Sequence, residues 1–137
     1  GWVASAPEMA KLITAIDGFD DQPDILTMES LSLMTNPYEA GKGLIGWRGT
    51  DRHGTWWRTG TLSGSTALIV RQENGINWVV LLNTSAYQRT RIHSKLSRTM
   101  FAAVYRIKKW PAIDLFTLKS KSQPDPIAMI PAVNPGL

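Results

Sequence analysis

The apolar positions of this chain change period twice. Met9, Leu12, Ile13 and Ile16 recur on one side of a helix. Ser5-Ala6-Pro7-Glu8 just ahead of them supplies a capping serine, a first-turn proline and a glutamate three residues on, and Gly18 supplies the stop. Residues 19–25 are acidic and contain Pro23, which predicts a loop. A shorter helix is predicted from the capping Thr27, burying Leu31 and Met34 and ending before Asn36-Pro37. From Gly43 the period becomes that of strands, predicted over residues 43–48, 55–58, 65–71 and 77–82. Asn74-Gly75 marks the clearest hairpin, because both residues tolerate positive φ. Ala67-Leu68-Ile69-Val70 and Trp78-Val79-Val80-Leu81-Leu82 are nearly continuous apolar runs, so helices are expected to cover both faces of an antiparallel sheet.

The helical period returns from about Gln88 to Lys108. Ile92, Leu96, Met100, Ala103 and Ile107 form its expected buried stripe, flanked by Phe101 and Val104. Arg89, Arg91, Lys95, Arg98, Arg106 and Lys108 mostly take the wet side, and Trp110-Pro111 ends the helix. Pro124, Pro126, Pro131 and Pro135 follow without periodicity, so residues 117–137 are expected to form an extended tail. Two helices, three to five antiparallel strands and a long helix make residues 1–116 an α+β domain.

Composition changes this picture little. The 137 residues are 43% hydrophobic, enough for a real core. No run approaches the ~20 apolar residues of a membrane span, and no signal-peptide pattern opens the chain. Cysteine is absent, which excludes disulfides, thiolate catalysis and cysteine-based zinc sites. The net charge of +4 invites a nucleic-acid partner. Its cations are dispersed, however, with only a mild concentration from Arg89 to Lys109. A solvated helix face is therefore the preferred reading, and no nucleic acid is expected.

The stretch Trp56-Trp57-Arg58-Thr59-Gly60-Thr61-Leu62-Ser63-Gly64 is the best candidate for chemistry. It sets a cation, hydroxyls and glycine where a packing strand would alternate apolar residues. The bland alternative is an edge strand with an exposed arginine and a bulge glycine. Trp56 and Trp57 alternate, so one is expected in the cleft and the other in packing, while Trp78 is expected in the core. His93 reads as a solvated or packed helix residue, and His53 is a weak candidate for the cleft. Asp17, Asp20, Asp21 and Asp24 miss the spacing of a calcium loop and read as a solvated acidic loop. Gly41-Lys42-Gly43 lacks phosphate-loop spacing and reads as a turn. No metal or cofactor is indicated.

Several segments, in order, resemble the class C β-lactamase-like branch of the serine β-lactamase and penicillin-binding protein superfamily, which includes esterases and D-aminopeptidases. Gly1-Trp2-Val3-Ala4-Ser5-Ala6-Pro7-Glu8-Met9-Ala10 and Leu31-Ser32-Leu33-Met34-Thr35 are similar to helical segments that follow its nucleophile region. Arg58-Thr59-Gly60 stands where that family carries a Lys-Thr-Gly or His-Thr-Gly strand. Asn74-Gly75 with residues 78–83 resembles its terminal hairpin, and Trp110-Pro111-Ala112-Ile113-Asp114-Leu115-Phe116 its finish. The resemblance implies acyl transfer on an amide or ester, with an extracytoplasmic location. Arg58 would face a substrate carboxylate, Thr59 would offer it a hydroxyl, and Gly60 would let substrate lie against the strand. Thr61 would lend a backbone N–H to the oxyanion hole.

Two departures qualify this expectation. Arginine keeps the charge but gives up no proton near neutral pH, so Arg58 departs from any proton-relay role the family assigns to this position. The chain also lacks both Ser-x-x-Lys and Tyr-x-Asn: Ser94 has Ser97 three residues on, and Tyr38, Tyr87 and Tyr105 have no asparagine two residues on. The chain is therefore expected to be the C-terminal portion of such a hydrolase, partnered by an N-terminal segment carrying both motifs and inactive alone. The alternative is a non-catalytic binding domain that keeps the fold.

Overall fold

The computed structural model describes residues 3–36, 43–85 and 89–117. Helices α1 (Ala6–Thr14) and α2 (Met28–Thr35) precede strands β1 (Gly49–Thr50), β2 (Trp56–Leu62), β3 (Ser65–Arg71) and β4 (Asn77–Leu82), and helix α3 (Arg89–Arg106) follows. The strands form one antiparallel sheet in sequence order. The α+β class read from the pattern is the class observed.

Local chemistry sets the helix starts. Ser5 Oγ accepts from Glu8 N–H while Glu8 accepts from Ser5 N–H at 2.6 Å, a complete capping box. Thr27 caps α2 by accepting from Ser30 N–H. Helix α1 stops at Thr14, earlier than Gly18, because Asp17 and Gly18 give their N–H groups to Asp24.

The expected strand over residues 43–48 is not formed. Gly43 and Gly46 adopt positive φ, and Ile45 N–H donates to the Met34 carbonyl, which carries this segment toward α2. Only Gly49 and Thr50 pair with β2, opposite Trp57 and Trp56. Strand β2 instead runs on to Leu62, well past the expected end at Arg58.

Strand alternation divides the sheet into two faces. On one, Leu68, Val70 and Trp78 are buried beneath Leu96, Met100 and Val104 of α3. Trp78 meets Phe101 edge-on at 5.6 Å. On the other, Arg71 and Asn77 reach the turn after α1. Helices thus lie on both faces, as the apolar runs imply. The α3 stripe is rotated from expectation: Val104 packs, while Ala103 and Ile107 are exposed and the helix ends at Arg106. Gln88 and the tail over residues 118–137 lie outside the described residues.

Candidate functional site

Arg58, Thr59, Gly60 and Thr61 occupy the centre of β2, in unbroken register with Ile69, Leu68, Ala67 and Thr66. Gly60 is therefore not a bulge. Its backbone is ordinary, and a Cβ there would meet Ala67 Cβ at 3.4 Å. Alternation puts Arg58 and Gly60 on the α1 side of the sheet and Thr59 and Thr61 on the α3 side. The four residues converge on one strand but not on one face.

The backbone brings them to a common edge. The Trp57 carbonyl accepts from Arg48 N–H and the Thr55 carbonyl accepts from Asp51 N–H, both on the β1 side. Polar groups alternate sides along a strand, so Thr59 and Thr61 also present N–H and C=O toward β1. Strand β1 pairs only as far as Trp57, and among the described residues no strand continues beside Arg58 to Leu62. Among the described residues, the Thr59 and Thr61 backbone groups on that side have no strand partner.

The α3 side of this edge opens on a cleft of about 270 Å³ lined by Asp51, Thr55, Trp57, Thr59, His93 and Ser97, among others. Its wall depends on one glycine. The Trp57 indole lies over Gly49, where a Cβ would come within 2.3 Å of Cζ2. His93 Nε2 lies 3.3 Å from the Gly60 carbonyl oxygen, which ties α3 to the centre of β2. Some loss of solvent works to raise the Asp51 pKa, but N–H donation from Thr55 and His53 wins and holds the exposed carboxyl below its ordinary value. Ser94 also lines the cleft, but neither it nor Ser97 is hydrogen-bonded to a basic group among the described residues.

His93, read from sequence as a solvated or packed helix residue, is half-buried against β2, and the weak cleft candidate His53 does not line the cleft. His53 sits on the outer turn, 3.9 Å from Glu73, whereas His93 lines the cleft. The signal available for His93 was its helical phase, one turn before Leu96 and two before Met100, on the side of α3 that packs against the sheet. The two tryptophans divide as expected: Trp57 lines the cleft, while Trp56 lies beside Trp47 and over the Arg71 guanidinium. Arg58 is exposed and its side chain has no ion pair or hydrogen bond among the described residues.

The acidic loop is more than a solvated one. Asp17 is 3% exposed, and its carboxylate accepts from Phe19 N–H and from the Asn77 amide. Burial raises its pKa, against those hydrogen bonds and nearby Arg71. Arg71, also buried, donates to the Asp17 and Gly54 carbonyls at 2.9 Å and stacks on Phe19 and Trp56. This cluster fastens the loop to β3 and β4 on the face away from the cleft. No group of side chains suited to a metal ion occurs among the described residues, and no described helix is long and apolar enough to cross a membrane.

Comparisons with protein-family models, curated proteins and solved structures find no match to this chain.

Proposed function

We propose that this chain forms one wall of an acyl-transfer site, as part of a serine hydrolase of the β-lactamase and penicillin-binding kind acting on an amide or ester. The nucleophilic serine and its proton-transfer partners come from a separate segment bearing Ser-x-x-Lys and Tyr-x-Asn. The observation that carries this reading is the direction of the Thr59 and Thr61 backbone groups, toward the side of β2 that no described strand covers, beside the cleft.

In this arrangement Thr61 N–H donates to the oxygen that gains charge in the tetrahedral intermediate, an interaction worth ~2.7–4 kcal/mol in comparable sites. The Thr59 backbone holds the acyl side of the substrate as an added strand. Arg58 grips a substrate carboxylate at the strand edge, where its exposed side chain is free to swing. Because Arg58 and Thr59 point to opposite faces, a ligand that uses both has to lie along the edge. Arg58 transfers no proton, so all acid–base work falls to the other segment.

The test supplies the upstream segment together with this chain and measures turnover of a chromogenic β-lactam and an acyl ester. The chain alone is expected to hydrolyse neither. In the complete protein, Arg58→Ala is expected to lower kcat/KM by ~10–100-fold, the loss of one charge-assisted hydrogen bond. Gly60→Val should also lower turnover, because a branched side chain would stand beside the strand where the substrate is to lie. Full activity after both changes would show that this strand is not the site wall. A second reading, a binding domain without catalysis, draws on the arginine at position 58. It requires carboxylate binding without turnover, and an encoded upstream sequence lacking Ser-x-x-Lys.

A further inference from the structure

We propose that the outward face of α3 is a docking surface for an anionic lipid bilayer. Leu96, Met100 and Val104 hold the helix to the sheet. At about 100° per residue, Arg91, Lys95, Arg98 and Arg106 fall together on the opposite side, and all four are exposed. The stripe is roughly 22 Å long from the helical rise, with neighbouring cations about one turn apart over its first half. No acidic residue occurs anywhere between Glu73 and Asp114. The cations of α3 thus have neither an intrahelical partner nor, among the described residues, a salt bridge. A helix built only for solubility would interleave both signs.

The stripe ends in exposed apolar and aromatic side chains. Tyr105 is 85% exposed, Trp110 53% and Ile113 63%. Lys108 and Lys109 lie between Tyr105 and Trp110, and the Lys108 ammonium is 5.9 Å from the Tyr105 ring. Cations that seek phosphate headgroups, set beside rings and aliphatic groups that enter the interfacial layer, are the chemistry of a peripheral membrane contact. A nucleic acid would use the cations and rings but would gain nothing from Ile107 and Ile113, and no groove on this convex helix face tracks a strand. This contact is independent of the proposed chemistry at β2, which lies beneath α3, on the side of the helix that faces the sheet.

The test is cosedimentation of the 137-residue chain with vesicles of phosphatidylcholine alone or mixed equally with phosphatidylglycerol. Binding to the mixed vesicles, weakened by added salt and absent from neutral ones, is expected. Each cation near such a surface contributes roughly fivefold in affinity, so the triple variant Arg91→Gln, Lys95→Gln, Arg98→Gln should bind roughly a hundredfold more weakly. Glutamine keeps the helix propensity, and circular dichroism checks that the helix survives. The control Arg48→Gln, Arg52→Gln removes charge elsewhere and should bind as the parent does. Tyr105→Ala with Trp110→Ala should remove the binding that persists at raised salt. The proposal is overturned by no binding to mixed vesicles, by equal binding to neutral ones, by equal losses in control and triple variant, or by binding to duplex DNA in place of vesicles.

Discussion

The contact between Gly49 and Trp57 makes the sharpest mechanical test of the site wall. An alanine Cβ at position 49 would lie 2.3, 2.6 and 3.0 Å from Cζ2, Cε2 and Cη2 of the indole. Carbon atoms rest ~3.5–4.0 Å apart, so the ring must retreat by an ångström or more. It cannot do so freely, because Trp57 packs against Leu68, Val70 and Trp78. Either the indole turns into the adjoining cleft or the two-residue β1 peels from β2. Overpacking of this kind costs ~1–3 kcal/mol. With a urea slope of ~1–3 kcal/mol/M, the unfolding midpoint of Gly49→Ala should fall by about 1 M. Trp57→Leu removes the clashing atoms, so adding Gly49→Ala to that background should cost less than ~0.5 kcal/mol. A double-mutant cycle followed by circular dichroism measures both quantities. An equal cost of Gly49→Ala in the two backgrounds would refute the argument, as would an unchanged midpoint in the parent.

Two further outcomes follow from the core and the buried loop. Leu68, 2% exposed at the centre of the α3 face, should cost ~2–5 kcal/mol when cut to alanine, read from thermal melting. Asp17 has a folded pKa raised by burial. Its contribution to stability is therefore fully present below the unfolded value near 3.8 and is lost as pH rises through the folded value. Asp17→Asn should flatten that part of the stability–pH curve, and an unchanged slope in urea titrations across the window would contradict the assignment.

Some features were legible residue by residue. The capping box at Ser5 and Glu8, the Thr27 cap and the Asn74-Gly75 turn are contacts within a few residues, so local chemistry decides them before any tertiary contact forms. The Leu68, Val70 and Trp78 core was visible as two apolar runs, since a strand covered on both faces has no polar alternation to hide it. The candidate strand was found for a related reason: Arg58, Thr59 and Gly60 break an apolar rhythm, and such breaks are local.

What surrounds that strand was decided by long-range packing. Residues 43–48 have a strand's composition, but a hydrogen bond to Met34 and two glycines at positive φ draw them away, so that no described strand pairs with β2 beyond Trp57 on that side. No short-range pattern contains that choice, because its partner lies in a different helix. The phase of α3 against the Leu68, Val70 and Trp78 core turns His93 toward the cleft, a packing outcome that involves residues far apart in the chain. Asp17 likewise looked solvated until Asn77, Arg71 and Phe19 closed around it. Residue type and period determined which strand carries unusual groups. The tertiary structure alone decided which way those groups face, since one residue of register or a third of a helical turn moves a side chain from solvent into a site.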